Sequence, residues 1–281
     1  MRLLFTGRGG NGSWQVRGDQ LGEACGAVVK TNATAEDFEE CDLAVVVKRV
    51  PSRLLEDLRD SGKPWAFDIV DAFPQPASSA WSAKQSIDWV RALLDKLDPT
   101  AVIWPNERMR HDCCDGRPGM VLRHHYRPNA QPNPIREKIE KVGYEGRSLY
   151  LNSWRHHLVR ECVRRGYAFV ENPTGLSELD VVVAFRGGEW DSYASRHWKS
   201  NVKLANAHGT GTPFVGQPAD AYVESSTGCE YWVTDPAGIR VALDWLESQS
   251  AREQIHDRFL RAAYSVTDAA FDLKLFLSTL V

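Results

Sequence analysis

"WKSNVKLANAHGTGTPFVGQPADAYVES", residues 198–225, decides how the chain is read. A basic start runs into a helix-like segment, 201–208, which breaks at a Gly-Thr-Gly-Thr-Pro turn and resumes as the strand-like 213–216. Gly209 suits the left-handed position that closes a helix, and Gly211 permits the close turn into the strand. With Ser200 as the helix cap, the backbone N–H groups of Asn201, Val202 and Lys203 point out of a helix N-terminus. Such an end carries about half a positive charge and unused donors, so it suits a phosphate. Lys203 adds its ammonium to the same anion, and Arg186 arrives at the end of the apolar run 179–185. Together they form a diphosphate clamp. Glu224, at the far end, can offer two oxygens to the hydroxyls of a ribose. The competing reading of the same residues is a plain helix–turn–strand with Lys203 in solvent.

The surrounding pattern supports a crevice for such a ligand. Buried-strand patterns occur at 2–7, 41–50, 64–73, 100–107 and 119–129, with helical spacing at 14–27 and 51–62 between them. After a Pro- and Asn-rich connection, 127–146, the alternation restarts. Strands are expected at 147–152, 167–172, 179–185 and 213–216, a helix capped by Ser153 at 153–166, and further helices at 238–248 and 250–280. Alternating strands and helices build a parallel sheet covered on both faces. Two such repeats make an α/β chain of two Rossmann-like domains facing across a cleft. Ligands in these sheets bind beyond the carboxyl ends of the strands, which here means between the domains.

At 281 residues the chain is long enough for two cores. A net charge of −3 gives no global field for nucleic acid or a membrane surface, although residues 108–141 hold eight Lys or Arg against four acids. Six cysteines without a Cys-x-x-Cys spacing, no signal-peptide pattern and no apolar run near 18 residues indicate a cytoplasmic protein with no membrane insertion. The cluster His111, Cys113, Cys114, His124 and His125 lacks the spacing of a structural zinc site, and no metal is expected. The glycine-rich loop 7–13 lacks the third glycine and the acidic residue of a dinucleotide fingerprint, and no phosphate-loop Gly-Lys-Ser/Thr is present.

Residues 199–224 resemble the donor-binding segment of GT-B fold glycosyltransferases, whose pattern runs K-P-x-N-K-L-x-x-A-x-x-x-G-x-P-x-V, with a Glu some ten residues later. Lys199, Asn201 and Lys203 match its anion-proximal positions, Gly211 and Pro213 its turn, and Glu224 its ribose carboxylate. The chain departs from the pattern with Ser200 where proline is frequent and with Val202 inserted before Lys203, which leaves open which cation meets the phosphate. "KVGYEGRSLYL" (141–151) is similar to the first strand of the C-terminal domain, and "LDVVVAFR" (179–186) to its donor-side strand. The resemblance implies the GT-B architecture. Residues 1–140 would form an acceptor-side domain and 141–262 a nucleotide-sugar-binding domain, with a helix at 263–281 returning to the first. It also implies a nucleotide-diphosphate sugar as donor, UDP-sugar first, handled without a metal.

Transfer to a hydroxyl with inversion needs a general base on the acceptor side. Asp19, just after the glycine-rich loop, is the first choice. Asp68 and Asp71, at a strand end and three residues apart, follow, with one of them expected to face the cleft. His124 or His125 is the third candidate, because this strand ends in a His near the donor sugar in many members. The loop containing Gly10 resembles the first acceptor-side loop of such enzymes, where a sugar or phosphate approaches the backbone. Trp14, Trp154, Trp190 and Trp198 stand at element junctions where a ring can stack on a base or sugar. The acceptor class stays open among a small molecule, a glycan and a modified DNA base. An epimerase or hydrolase of the same fold, and an inactive nucleotide-sugar-binding module, are the alternatives.

Overall fold

The computed structural model describes residues 1–10, 12–71 and 81–281. Asn11 of the glycine-rich loop and the last two residues of the strand expected over 64–73 lie outside the described residues. The first half forms a parallel sheet of β1 (Leu3–Thr6), β2 (Val28–Val29), β3 (Leu43–Val47), β4 (Trp65–Asp68), β5 (Ala101–Trp104) and β6 (Gly119–Val121). Its order is β2-β1-β3-β4-β5-β6. The second half forms another from β7 (Lys141–Tyr144), β8 (Ala168–Glu171), β9 (Val181–Ala184), β10 (Phe214–Gly216) and β11 (Tyr231–Trp232), in the order β11-β10-β9-β7-β8. All pairings are parallel.

Central strands covered on both faces cannot alternate apolar and polar residues, and they do not. All five residues of β3 (LAVVV) and all four of β9 (VVVA) are buried. Short crossover helices close the βα units with the expected punctuation. Ser52–Ser61 ends at Gly62 with φ +62°, a left-handed cap that glycine adopts without strain. The helix Ala83–Leu97 was not among the expected elements, yet Ser82 and Gln85 form its capping box.

The sequence reading needs three corrections. The first strand of the second sheet is 141–144, upstream of the expected 147–152, which is a single 3-10 turn at Ser148–Tyr150. Val142, Gly143 and Tyr144 are buried, and the Leu179 side chain lies directly over Gly143. Leu149, by contrast, is exposed. The helix Ser153–Arg165 is capped by Asn152, whose Oδ1 accepts from the Ser153 N–H at 2.7 Å. The helix expected over 250–280 is two helices, Gln249–Ala262 and Val266–Leu277, the second started by a Ser265–Asp268 capping box.

Two segments of the second half pack into the first. Ala269, Ala270, Leu273 and Leu277 of the last helix share a core with Leu3, Phe5, Leu43 and Val45. Ala194 and Trp198 share the other core of that sheet with Phe67, Leu94, Trp104 and Met109. Trp198 is completely buried there, and its indole N–H donates to Asp112 at 2.9 Å. Residues 192–200 therefore form a strap fixed to the first sheet just before the segment that starts at Asn201. Among the described residues, no helix is long and apolar enough to cross a membrane.

Candidate functional site

The carboxyl ends of the two sheets meet around a cavity of about 510 Å³. The first half supplies Gly12, Ser13, Gln15, Val16, Gln20, Lys48, Arg49, Val70, Asp71, His124 and His125. The second half and the connection supply Arg127, Glu145, Ser200, Val202, Lys203 and Asn206. A second cavity of about 380 Å³ opens beyond β9 and β10, lined by Trp154, Arg186, Lys199, Gln217, Ala219 and Tyr222 among others.

Three cations gather around the segment that begins at Lys199. Arg186 follows β9, and its backbone N–H is held by Gln217 Oε1 at 2.6 Å. Its guanidinium lies 5.1 Å over the Tyr150 ring, with a buried Nε that has no hydrogen-bond partner among the described residues. Lys199 is 6% exposed and donates to the Tyr222 hydroxyl at 3.2 Å. Lys203 is 8% exposed, donates to the Glu145 carbonyl and lies 3.6 Å over the Tyr144 ring. Gly146, at φ +138°, leaves room for that ammonium, since a Cβ there would stand 3.1 Å from it. Burial, then the charges of Arg186 and Lys203, hold Lys199 well below the usual lysine range. Burial also pushes Lys203 down to about 7, with Glu145 opposing and Arg186 adding to the shift. Buried like charges that Asp71 and Glu145 offset only in part are costly, and a further anion lowers the cost.

The expected helix cap is displaced by one residue. The helix is Val202–Thr210, and Asn201 stands at its N-cap without a side-chain capping bond. Asn201 Oδ1 instead accepts from the His124 N–H at 2.9 Å. Ser200 N–H is directed across the cleft to Asp71. Gly211 closes the helix at φ +67°, where a Cβ would overlap His256, so its part is in the turn.

Of the paired carboxylates, only Asp71 lines the cavity. After β4 the chain makes a tight turn in which Val70 takes φ +69° and donates to Asp68 Oδ1 at 2.9 Å. A β-branched residue at positive φ is strained, and such strain gathers at functional sites. The turn carries Asp71 into the cleft and leaves Asp68 in the interior, 3.8 Å from the equally buried Arg17. Burial raises the Asp68 pKa against the pull of Arg17. Burial would also raise Asp71, but Lys48, Arg186 and Lys199 outweigh it and hold Asp71 below the ordinary carboxylate value.

His124 lines the cavity as a neutral ring, its pKa driven well below the usual value by burial and by Arg17. Nε2 faces the Val70 carbonyl at 2.9 Å and so carries the proton, which leaves Nδ1 as the lone-pair nitrogen with no partner among the described residues. Asp19 is half-buried and lines neither cavity, whereas Gln15, Val16 and Gln20 of the same helical stretch do. Gly10 has φ +73° and open space around it, but it also lies outside both linings. Glu224 is directed elsewhere: its two oxygens accept the backbone N–H groups of Glu107 and Arg108 at 2.9 and 3.1 Å.

Glu145, Asn206, Tyr222, Lys48, Arg49 and Arg127 were absent from the expected set. Glu145 accepts from Asn206 Nδ2 at 2.9 and 3.0 Å and from Arg127 at 3.1 Å. It directly follows β7, just as Lys48 follows β3, so the carboxyl-end rule marks both once the strand ends are known.

No protein-family model matches the sequence, and no curated protein matches it. Solved structures do. Anabaena HepE, solved with UDP and with UDP-glucose, aligns over 99% of this chain and all of its own, with a TM-score of 0.67 and 12% identity. AviGT4, a glycosyltransferase of avilamycin A biosynthesis, aligns over 100% of this chain and 98% of its own, at TM-score 0.56 and 13% identity. MnaA of S. aureus, solved with UDP, aligns over 100% and 98%, at TM-score 0.55 and 9% identity. The likeness is one of fold: two parallel sheets with covering helices, arranged across a cleft as in GT-B glycosyltransferases.

Proposed function

We propose that this chain is a glycosyltransferase that moves a sugar from a nucleotide-diphosphate sugar, UDP-sugar first, to a hydroxyl acceptor. The observation that carries the reading is the trio of half-buried Arg186 and buried Lys199 and Lys203 gathered beside the start of the helix Val202–Thr210, three cations that Asp71 and Glu145 offset only in part. A diphosphate answers that charge and accepts the helix N–H groups. The cavity beside Gln217, Ala219 and Tyr222 then receives the nucleoside, and the larger cavity the sugar and acceptor. The UDP bound by HepE and MnaA supports the same donor class.

In this reading the acceptor oxygen bonds to the anomeric carbon as the bond from that carbon to the phosphate oxygen breaks. The nucleoside diphosphate leaves with the electron pair, and the acceptor proton passes to Asp71. The surrounding cations keep Asp71 ionised at neutral pH, as a base requires. A bound diphosphate offsets Arg186 and Lys199, which raises the basicity of Asp71 when the donor is present. Three side chains supply the positive charge, a metal-independent arrangement, so chelator is expected to leave turnover unchanged. A thermal-shift series with UDP, GDP, ADP and TDP tests the donor site: one or more raises the melting temperature, and failure of all four overturns the reading.

A further inference from the structure

We propose that the acceptor carries an anionic group, a carboxylate or a phosphate, bound by Arg49 with Lys48 on the first-sheet wall of the larger cavity. This rests on the donor reading above and extends it to the other substrate. Lys48 and Arg49 directly follow β3 and face the cavity opposite the donor-side cations. Lys48 has φ +59°, and the Arg49 N–H bonds back to the Val47 carbonyl at 2.7 Å. That tight turn fixes both side chains at the mouth rather than along the sheet. Lys48 Nζ also contacts Ser13 Oγ at 3.4 Å.

Charge accounting separates Arg49 from its neighbours. The described lining holds four cations, Lys48, Arg49, Arg127 and Lys203, against two carboxylates, Asp71 and Glu145. Glu145 is answered by Arg127 and by the Asn206 amide. Lys203, with Arg186 and Lys199, is taken by the donor diphosphate, and Lys48 offsets Asp71. Arg49 remains without a carboxylate, and among the described residues its side chain has no hydrogen bond or ion pair. Arg8, also exposed, stands next to it, its N–H on the Arg49 carbonyl at 3.3 Å. Other exposed arginines either reach an acid, as Arg2, Arg53, Arg155 and Arg196 do within 3.1 Å, or stand outside both cavities, as Arg123, Arg147, Arg160 and Arg258 do, so that among the described residues Arg49 is the unpaired one that lines the larger cavity. A neutral acceptor would gain nothing from this asymmetry, whereas a carboxylate or phosphate gains a planar, two-donor partner.

The test uses the full chain saturated with UDP and three small probes: methyl glucoside, methyl glucuronide and glucose 6-phosphate. Binding is followed by the change in tryptophan fluorescence. The glucuronide or the phosphate is expected to bind at least about tenfold more tightly than the glucoside, and which of the two does so identifies the group. Arg49→Gln is expected to erase that preference and Arg49→Lys to keep part of it, with thermal melts of each variant checking the fold. Equal binding of all three probes, binding of none, or an undiminished preference in a folded Arg49→Gln overturns the inference. If UDP itself fails to shift the wild-type melting temperature, the donor reading falls. If UDP shifts it and the anionic probes show no preference, only the acceptor inference falls.

Discussion

Asp71 Oδ1 accepts the backbone N–H of Ser200 at 3.1 Å, joining the turn after β4 to the residues that lead into the helix Val202–Thr210. The group proposed to take a proton is thus in contact with the segment proposed to hold the donor. Asp71→Asn separates the two roles, because an amide oxygen still accepts from Ser200 but is no base. Turnover is expected to fall by about 10²- to 10⁴-fold. UDP is expected to bind as well as before or better, since a negative charge beside the phosphates is gone. Steady-state UDP release and calorimetric titration measure the two effects. A kcat within a few-fold of wild type would remove Asp71 from the mechanism.

On the proposed function, Lys203 is expected to make UDP binding pH-dependent. Its pKa in the free chain is pushed from 10.5 down to about 7, chiefly by burial, so the ammonium is charged below that value and neutral above it. A diphosphate restores the charge, and binding above pH 7 must therefore take up a proton. UDP affinity is expected to be level below pH about 7 and to weaken by up to about tenfold per pH unit above it. The same depression has the opposite sign for folding. Between the free-chain value and 10.5 the unfolded chain binds the extra proton, so this residue makes ligand-free stability rise with pH across that window and contributes no slope below it. Lys203→Met removes this residue's part of both slopes and leaves the part of Lys199, which burial also holds well below the usual lysine range. Titrations in buffers of differing ionisation enthalpy, with denaturant melts at several pH values, check them together.

Strand identity was legible where burial is complete. β3 and β9 are runs of valine and alanine that fit only a covered parallel strand, and the Gly-Thr-Gly-Thr-Pro turn placed β10. β7 was harder, because Lys141, Gly143 and the following Glu-Gly weaken its apolar pattern while Leu149 and Leu151 imitate a strand. That shift of a few residues hid Glu145. The side-chain directions around Asp68 and Asp71 depend on the positive φ of Val70, which a valine does not advertise. Glu224 fits a donor-segment pattern by position, yet its orientation is set by a helix more than a hundred residues earlier in the chain. The burial of Trp198 in the first sheet is likewise a long-range fact that periodicity within 192–200 cannot carry.

The strap through Trp198 holds the backbone around Lys199, one of the cations proposed to meet the donor. Asp112 accepts from the Trp198 indole at 2.9 Å and the Tyr193 hydroxyl at 2.8 Å, and Arg108 pairs with it at 3.0 Å. Asn106 Nδ2 donates to the carbonyls of His197 and Lys199, each at 3.0 Å. Trp198→Phe keeps most of the packing and removes the bond to Asp112. UDP affinity is expected to drop about two- to thirtyfold, the range of couplings carried through packed neighbours. Trp198→Ala leaves a large cavity and is expected to cost about 3–5 kcal/mol of stability. Unchanged UDP affinity in a folded Trp198→Phe would confine the strap to a packing role.

Glu224 is the residue on which position in the sequence and placement in the structure differ most. Its carboxylate sits at the N-terminus of the helix Glu107–Cys113, accepting the N–H groups of Glu107 and Arg108, while Asn106 Oδ1 takes that of Met109 at 2.7 Å. Three backbone donors at the helix start are thereby satisfied, two of them by a charge from the other half of the molecule. A negative group there is favoured by the helix dipole as well as by the bonds themselves. Glu224→Gln removes the charge and one acceptor and is expected to cost about 0.5–2 kcal/mol of stability. The part that comes from the dipole should shrink at high salt. UDP affinity should stay within about twofold of wild type if the cap is the residue's whole role. A tenfold loss of UDP affinity with little change in melting temperature would return Glu224 to the ribose, and with it a second orientation of the segment that follows β10.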